Sequence, residues 1–233
     1  MLRVKQFRYN LDNLSYLIYG ENQALAIDGG AAREIFSFIE GRKLNLRFVA
    51  NTHKHLDHTS GNRMLLDRTH AQLLRHEDII NKGGVGLEGQ IINMYNTPGH
   101  TDDSVCFHVN GILISGDTLF NGTIGNCFSG NLMNFYHSIK RLMMLPADTI
   151  IYAGHDYVHD AMNFAKKLEP ENQYIDVFLN SYRSDHVFST MADEMKVNPY
   201  LRFNEKSIIG LLKKNGLPCH TEWERWESLM SIE

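Results

Sequence analysis

Apolar positions along the 233-residue chain follow two periods. "LSYLIYG" (14–20) and "QALAIDGG" (23–30) are short apolar and aromatic runs bounded by turn residues, and they predict two strands joined by a tight turn at "GEN". "AAREIFSFIEGR" puts Ile35, Phe36 and Ile39 on one helical face and predicts a helix closed by Gly41. "LRFVANT" reads as a buried strand, and "SGNRMLLDRT" as a helix capped by Ser60. "AQLLRHEDII" passes from a short strand into a helix. "QIINMYNT", "SVCFHVN", "GILISGD" and "DTIIYAGH" are further strands, and "FYHSIKRLMML" is a helix stopped by Pro146.

From about Val158 the pattern becomes helical, through "DAMNFAKKLEP", "ENQYIDVFLNSYRSD", "TMADEMKVNP" and "EKSIIGLLKKNG". Strand-rich first and helix-rich second predicts an α/β domain over 1–157 and a helical domain over 158–233. The stripe Ile208, Ile209, Leu211 and Leu212 belongs to the core of that helical part. Trp223 and Trp226 read as packing residues that seat the last helix on the body.

Composition narrows the class. The formal net charge of -4 argues against a dedicated nucleic-acid or anionic-membrane binder. No run of 18 apolar residues exists, so no transmembrane helix is expected, and "MLRVKQFRYN" lacks the apolar stretch of a signal peptide. Cys106, Cys127 and Cys219 are odd in number and widely spaced; they read as core thiols of a protein of the reducing cytoplasm.

The chemistry gathers after the strands. His53, His55, Asp57 and His58 follow "LRFVANT", His100 follows "INMYNTPG", Asp117 follows "ILISG", and His155 follows "DTIIYAG". Loops at strand ends can be aimed by a rigid sheet at one place. Five histidines and two aspartates are too many for one tetrahedral ion and suit two. Imidazole and carboxylate donors favour zinc, with iron, manganese or cobalt as alternatives, over magnesium or calcium. Asp117 can bridge. A pair of ions about 3.5–4 Å apart can share a hydroxide whose pKa falls towards about 7. The remaining histidines (70, 76, 108, 137, 159, 186 and 220) read as ordinary surface or capped residues. Thr101 and Ser115 could orient imidazoles, with turn capping as the plainer reading.

"THKHLDH" matches the THxHxDH signature of the metallo-β-lactamase-fold hydrolases, and "TPGHT", "GDTLF" and "AGH" follow in that superfamily's order. The resemblance implies an αββα sandwich with the metals at one edge. It would assign His53, His55 and His100 to one metal, Asp57, His58 and His155 to the other, and Asp117 to both. "FSTMADEMKVNPYLR" and "GHDY" also resemble the helical domain and the "GHEY" of glyoxalase II, which hydrolyses hydroxyacylglutathione thioesters. That family carries a basic residue and a tyrosine where Asn126 and Phe128 stand here, and a basic C-terminal pair of which only Arg225 remains. Tyr157 is retained. Two lost charge-assisted hydrogen bonds, each worth roughly 1.5–3 kcal/mol, would weaken binding of a tripeptide carboxylate about a hundredfold or more.

The expectation is therefore a cytoplasmic, metal-dependent hydrolase of a small acyl thioester, with a bridging hydroxide as nucleophile and Asp57 orienting it. Tyr157 and Asn126 are the candidate substrate contacts, and altered recognition of the thiol carrier is expected. The oligomeric state is left open. Two readings compete: a persulfide dioxygenase of the same fold using one iron on His53, His100 and Asp117, and a lactonase.

Overall fold

Two sheets face each other across a shared apolar layer. The computed structural model describes residues 1–232. The first sheet takes β1 (Arg3–Tyr9), β2 (Asn13–Tyr19) and β3 (Gln23–Ile27), crosses over through α1 (Ala32–Arg42) to β4 (Asn45–Ala50), and passes α2 (Leu56–Thr59) and α3 (Asn62–Arg68) before ending at β5 (Gln72–Leu73). Its order is β1-β2-β3-β4-β5, antiparallel up to β3 and parallel beyond it. After α4 (His76–Lys82) the second sheet takes β6 (Gly84–Leu87), β7 (Gln90–Asn96), β8 (Val105–Val109) and β9 (Ile112–Gly116). Helix α5 (Leu132–Leu142) then leads to β10 (Ile150–Ala153), which lies parallel to β9.

The rest is α6 (Val158–Leu168), α7 (Tyr174–Ser181), β11 (Ser189–Thr190), α8 (Met191–Val197), α9 (Lys206–Lys214) and α10 (Glu222–Met230). Strand β11 closes the second sheet at its β10 edge.

Alternation along β2 shows why the layers form. Tyr16 and Ile18 enter the layer between the sheets and meet Ile92, Phe107 and Ile114. Leu17 and Tyr19 point the other way and pack under α1 and α3 with Ile35, Ile39 and Leu65. Both faces are covered, so all seven residues of β2 are buried and the strand reads as a nearly continuous apolar run. On the outer face of the second sheet Leu113 and Ile151 meet Phe135, Ile208, Leu212 and Trp226. This is an αββα sandwich with helices added at its C-terminal end. The ring of Trp226 lies 5.8 Å from that of Phe135, so the last helix is seated as the sequence suggested.

Four local expectations need correction. Helix α1 runs through Gly41 and ends at Lys43, whose φ of 55° supplies the left-handed turn. Ser60 does not cap α3: Gly61 precedes it, and the Ser60 hydroxyl donates back to the carbonyl of Asp57. Helix α5 begins at Leu132 under an Asn131 cap and ends at Leu142, before Pro146 can act. Strand β11 was hidden in the helical tail because two residues carry too little pattern to show a period.

Candidate metal centre

The loops that end β4, β7, β9 and β10 open at one edge of the sandwich, and their polar residues meet there. His53, His55, His100 and Asp117 each offer a ligand atom within 4.8 Å of the others, as do Asp57, His58 and His155. Nε2 of His53 lies 2.9 Å from Nδ1 of His55, which is 3.2 Å from Nε2 of His100. Nε2 of His58 lies 3.2 Å from Nε2 of His155. Asp117 sits between the groups, with Oδ2 3.5 Å from both His100 Nε2 and His155 Nε2.

The outer ring nitrogens decide what the inner ones carry. Nδ1 of His58 faces Asp28 at 3.0 Å, and Nδ1 of His155 faces Asp12 at 2.9 Å. Nδ1 of His100 faces the backbone oxygen of Asn126 at 2.9 Å, and Nδ1 of His53 faces the Thr52 hydroxyl at 3.1 Å. That hydroxyl already donates to Asp28, so its oxygen is left to accept. Each outer nitrogen is therefore the donor, and the lone pairs of four imidazoles point inward at one another. Oδ1 of Asp117 is buried among them without a hydrogen bond. Lone pairs that converge in this way need protons or cations between them, and a borderline-soft divalent ion fits such a donor set.

Without cations the fields are uneven. Burial opposes the charged form of His58, but Asp28 and Asp117 outweigh it and raise its pKa to about 11. His155 is raised in the same sense: burial opposes, and Asp117 and Asp12 prevail. Burial holds His53 down at about 4 and also lowers His100. Burial works against the Asp117 carboxylate, yet the imidazoles of His155 and His58 beside it keep it well below the usual range.

Backbone geometry allows this crowding. Gly116 has φ of 52°, which bends the chain so that Asp117 turns into the centre. A Cβ on Gly154 would lie 2.1 Å from Oδ1 of Asp117, so no side chain fits beside that carboxylate.

Comparison with known proteins agrees with this geometry. The model of the metallo-beta-lactamase superfamily matches residues 8–94 and 80–155, and that of the hydroxyacylglutathione hydrolase C-terminus matches residues 156–230. A hydroxyacylglutathione hydrolase of Tolumonas auensis is 33% identical over 190 residues, 75% of this chain and 73% of the relative. One of Methylobacillus flagellatus is 32% identical over 219 residues, 87% of this chain and 88% of the relative. The chain belongs to the hydroxyacylglutathione hydrolase family of the metallo-β-lactamase superfamily. Among solved structures, ETHE1 from Myxococcus xanthus superposes with a TM-score of 0.66 at 25% identity, covering 94% of this chain and 92% of that one. The BLEG-1 B3 metallo-beta-lactamase shares the fold with a TM-score of 0.66 at 19% identity, covering 85% of this chain and 99% of that one.

In this hydroxyacylglutathione hydrolase-family chain, several partners of the centre escaped the sequence reading. Asp28 is fully buried, adopts a left-handed φ of 51°, and accepts from the Thr52 amide as well as from the Thr52 hydroxyl. A strained, buried carboxylate at a strand end marks a functional position. The "IDGG" at the end of β3 was the available signal. Asp12 and Asn13 come from the β1–β2 turn, and Asn13 donates to Oδ2 of Asp57 at 2.9 Å. Asp57 itself is open to solvent, with 41% of its side chain exposed. Among the described residues, Thr101 and Ser115 hydrogen-bond to no imidazole. Thr101 bonds to Ser104, and Ser115 donates to the carbonyls of Leu119 and Tyr152, so both brace loops.

The two candidate substrate contacts lie beside the centre. The ring of Tyr157 stacks on that of His155 at 5.0 Å, and burial together with nearby carboxylates pushes its hydroxyl up to about 12. The Asn126 side chain is exposed, while its backbone oxygen serves His100. The ring of exposed Phe128 stands 5.2 Å from that of His100 and 5.8 Å from that of His55. The loop bearing Asn126 and Phe128 is anchored by the tail: the Gly122 amide donates to both oxygens of buried Glu194 at 3.0 Å, and Asn198 donates to the Thr123 carbonyl.

Proposed function

We propose that this protein hydrolyses an acyl thioester at a two-metal centre, with zinc as the native ion and iron or manganese as alternatives. The observation that carries the reading is the convergence of inward lone pairs in two adjoining groups, His53, His55, His100 with Asp117 and Asp57, His58, His155. Two divalent ions held there would supply a water of lowered pKa and Lewis acidity for the carbonyl oxygen. Membership in a family whose relatives are named hydroxyacylglutathione hydrolase supports the thioester as substrate class.

The chain's own residues then have distinct tasks. Asp57, half open and fixed by Asn13, accepts a hydrogen bond from the attacking water and turns its oxygen towards the acyl carbon. That oxygen bonds to carbon, the C–S bond breaks, and the sulfur leaves with the electron pair and takes a proton. A thiolate leaves readily, since thiol pKa values lie near 8.5, so no strong general acid is needed. Tyr157 offers a hydroxyl donor at the rim of the site. In this reading residues 1–157 carry the chemistry and residues 158–233 hold the substrate. Three free cysteines support a reducing compartment, the cytoplasm. No helix among the described residues is long and apolar enough to cross a membrane.

The test is metal analysis of protein purified without chelators, paired with thiol release from a panel of acyl thioesters. About two ions per chain with thiol release supports the hydrolase. One iron per chain with oxygen uptake would establish the dioxygenase instead.

A further inference from the structure

A cleft of 360 Å³ opens beside the metal centre, between the Thr123–Asn126 segment and the tail. Tyr157, stacked on His155, forms one wall, and Gly125 and Asn126, next to His100, form another. The far side is Phe164, Tyr200 and Met230. Phe164 and Tyr200 stack at 6.2 Å with an interplanar angle of 11°. Among the described residues no lysine or arginine lines the cleft, and the one charged residue there is Asp160, exposed on α6.

Two cations, Arg225 of α10 and Lys140 of α5, are already committed. Arg225 donates to Oδ1 of Asn204 and to the carbonyls of Cys219 and His220. Lys140 pairs with Glu222 at 2.9 Å. A second cleft reaches His53 from another side and carries Lys54 and Arg75, but the His53 side chain it meets is only 1% exposed. Leu11, Leu56 and Phe128, each within two residues of a residue of the site, are 91%, 86% and 66% exposed.

Resting on the thioesterase reading, we propose that this cleft takes the thiol part of the substrate and selects carriers that bring no carboxylate into it: uncharged, amide-bearing, partly apolar thiols. Aromatic walls bury the apolar carbons, and the hydroxyls of Tyr157 and Tyr200, which make no hydrogen bond among the described residues, donate to amide carbonyls. A carboxylate entering the same space loses its hydration, finds no cation and faces Asp160.

The experiment compares S-lactoylglutathione with its dimethyl ester on the metal-loaded enzyme, so the scissile bond and chain length stay fixed. The corresponding pantetheine thioester is the uncharged reference. The expected result is a kcat/KM at least tenfold higher for the diester, carried by KM, with the pantetheine thioester turned over at least as well as the diester. Calorimetric titration with the unreactive S-methyl thioethers of both glutathione forms should show the same order in Kd. Asp160→Lys should bring the two glutathione forms towards parity. If the free acid binds and turns over as well as the diester, the inference is overturned while the thioesterase reading stands. If none of the thioesters is cleaved, the thioesterase reading falls and the inference falls with it.

Discussion

The two halves of the candidate metal centre are built from the same residue types yet are backed differently. In the half made by His53, His55, His100 and Asp117, the outer nitrogens of His53 and His100 meet neutral oxygens, a threonine hydroxyl and a backbone carbonyl. In the half made by Asp57, His58 and His155, the outer nitrogens meet the carboxylates of Asp28 and Asp12. A carboxylate behind an imidazole makes it a stronger base and a better donor to a cation. Proton affinities differ as well: Asp28 and Asp117 raise that of His58, Asp117 and Asp12 raise that of His155, and burial lowers those of His53 and His100. Sequence spacing alone makes the halves look equivalent, whereas their electrostatic support makes them unequal.

The severest way to break the comparison is Asp117→Ala, because Asp117 faces both halves. Metal content should fall in both halves and turnover by more than the roughly 10–100-fold that loss of an outer partner costs. Full metal and full activity in this variant would end the two-metal reading. Next is Asp12→Asn, which leaves the ligands in place and weakens the support of His155. The half with His58 and His155 should lose metal affinity by about 10–100-fold while the other half keeps its ion. Dialysis against a weak chelator with metal counting should then give a stoichiometry near one; equal loss from both halves would remove the asymmetry.

A third test reaches the neutral half through the tail. Burial raises the Glu194 carboxyl from 4.5 to about 7, with Ser189, Asn198 and the Gly122 amide opposing. A carboxyl raised on folding contributes stability that is complete below its unfolded value and fades as pH rises through its folded one. The loop carrying the Asn126 carbonyl should therefore loosen between pH 4.5 and about 7, at a cost on the order of 3 kcal/mol. The unfolding midpoint of the native protein should drop across this window relative to that of Glu194→Gln, whose amide does not titrate. Parallel curves would exclude Glu194 as the source. The smallest effect is expected of Asn126→Ala, since His100 uses the backbone oxygen at that position. Metal content should be unchanged and the inhibition of unfolding by substrate analogues nearly so. Loss of an ion in this variant would show that the side chain, and not the carbonyl, supports His100.

Much of the site was legible because it is local. "HKHLDH" concentrates four donors after one strand, and His100, Asp117 and His155 stand alone after three others. Partners that close the site from far away were not legible. Asp12 lies 143 positions from His155, and Asp28 lies 30 from His58. Each looks like an ordinary turn aspartate until the sheets stack. Glu194 was equally mute: it sits in a helix with good capping and polar neighbours, and only docking on Gly122 shows that it is fully buried.

What the sequence determined by itself was the alternation that lays down two sheets, the turn glycines that end their strands, and the imidazole and carboxylate donors placed at those ends. These are matters of local sterics and periodicity, written within a few neighbouring residues. Only the tertiary structure decided which carboxylate stands behind which imidazole, that Arg225 is held by Asn204 and two carbonyls, and that no lysine or arginine among the described residues lines the cleft beside the centre. Those outcomes depend on desolvation and on distances across the sandwich, which no residue acquires before the layers close.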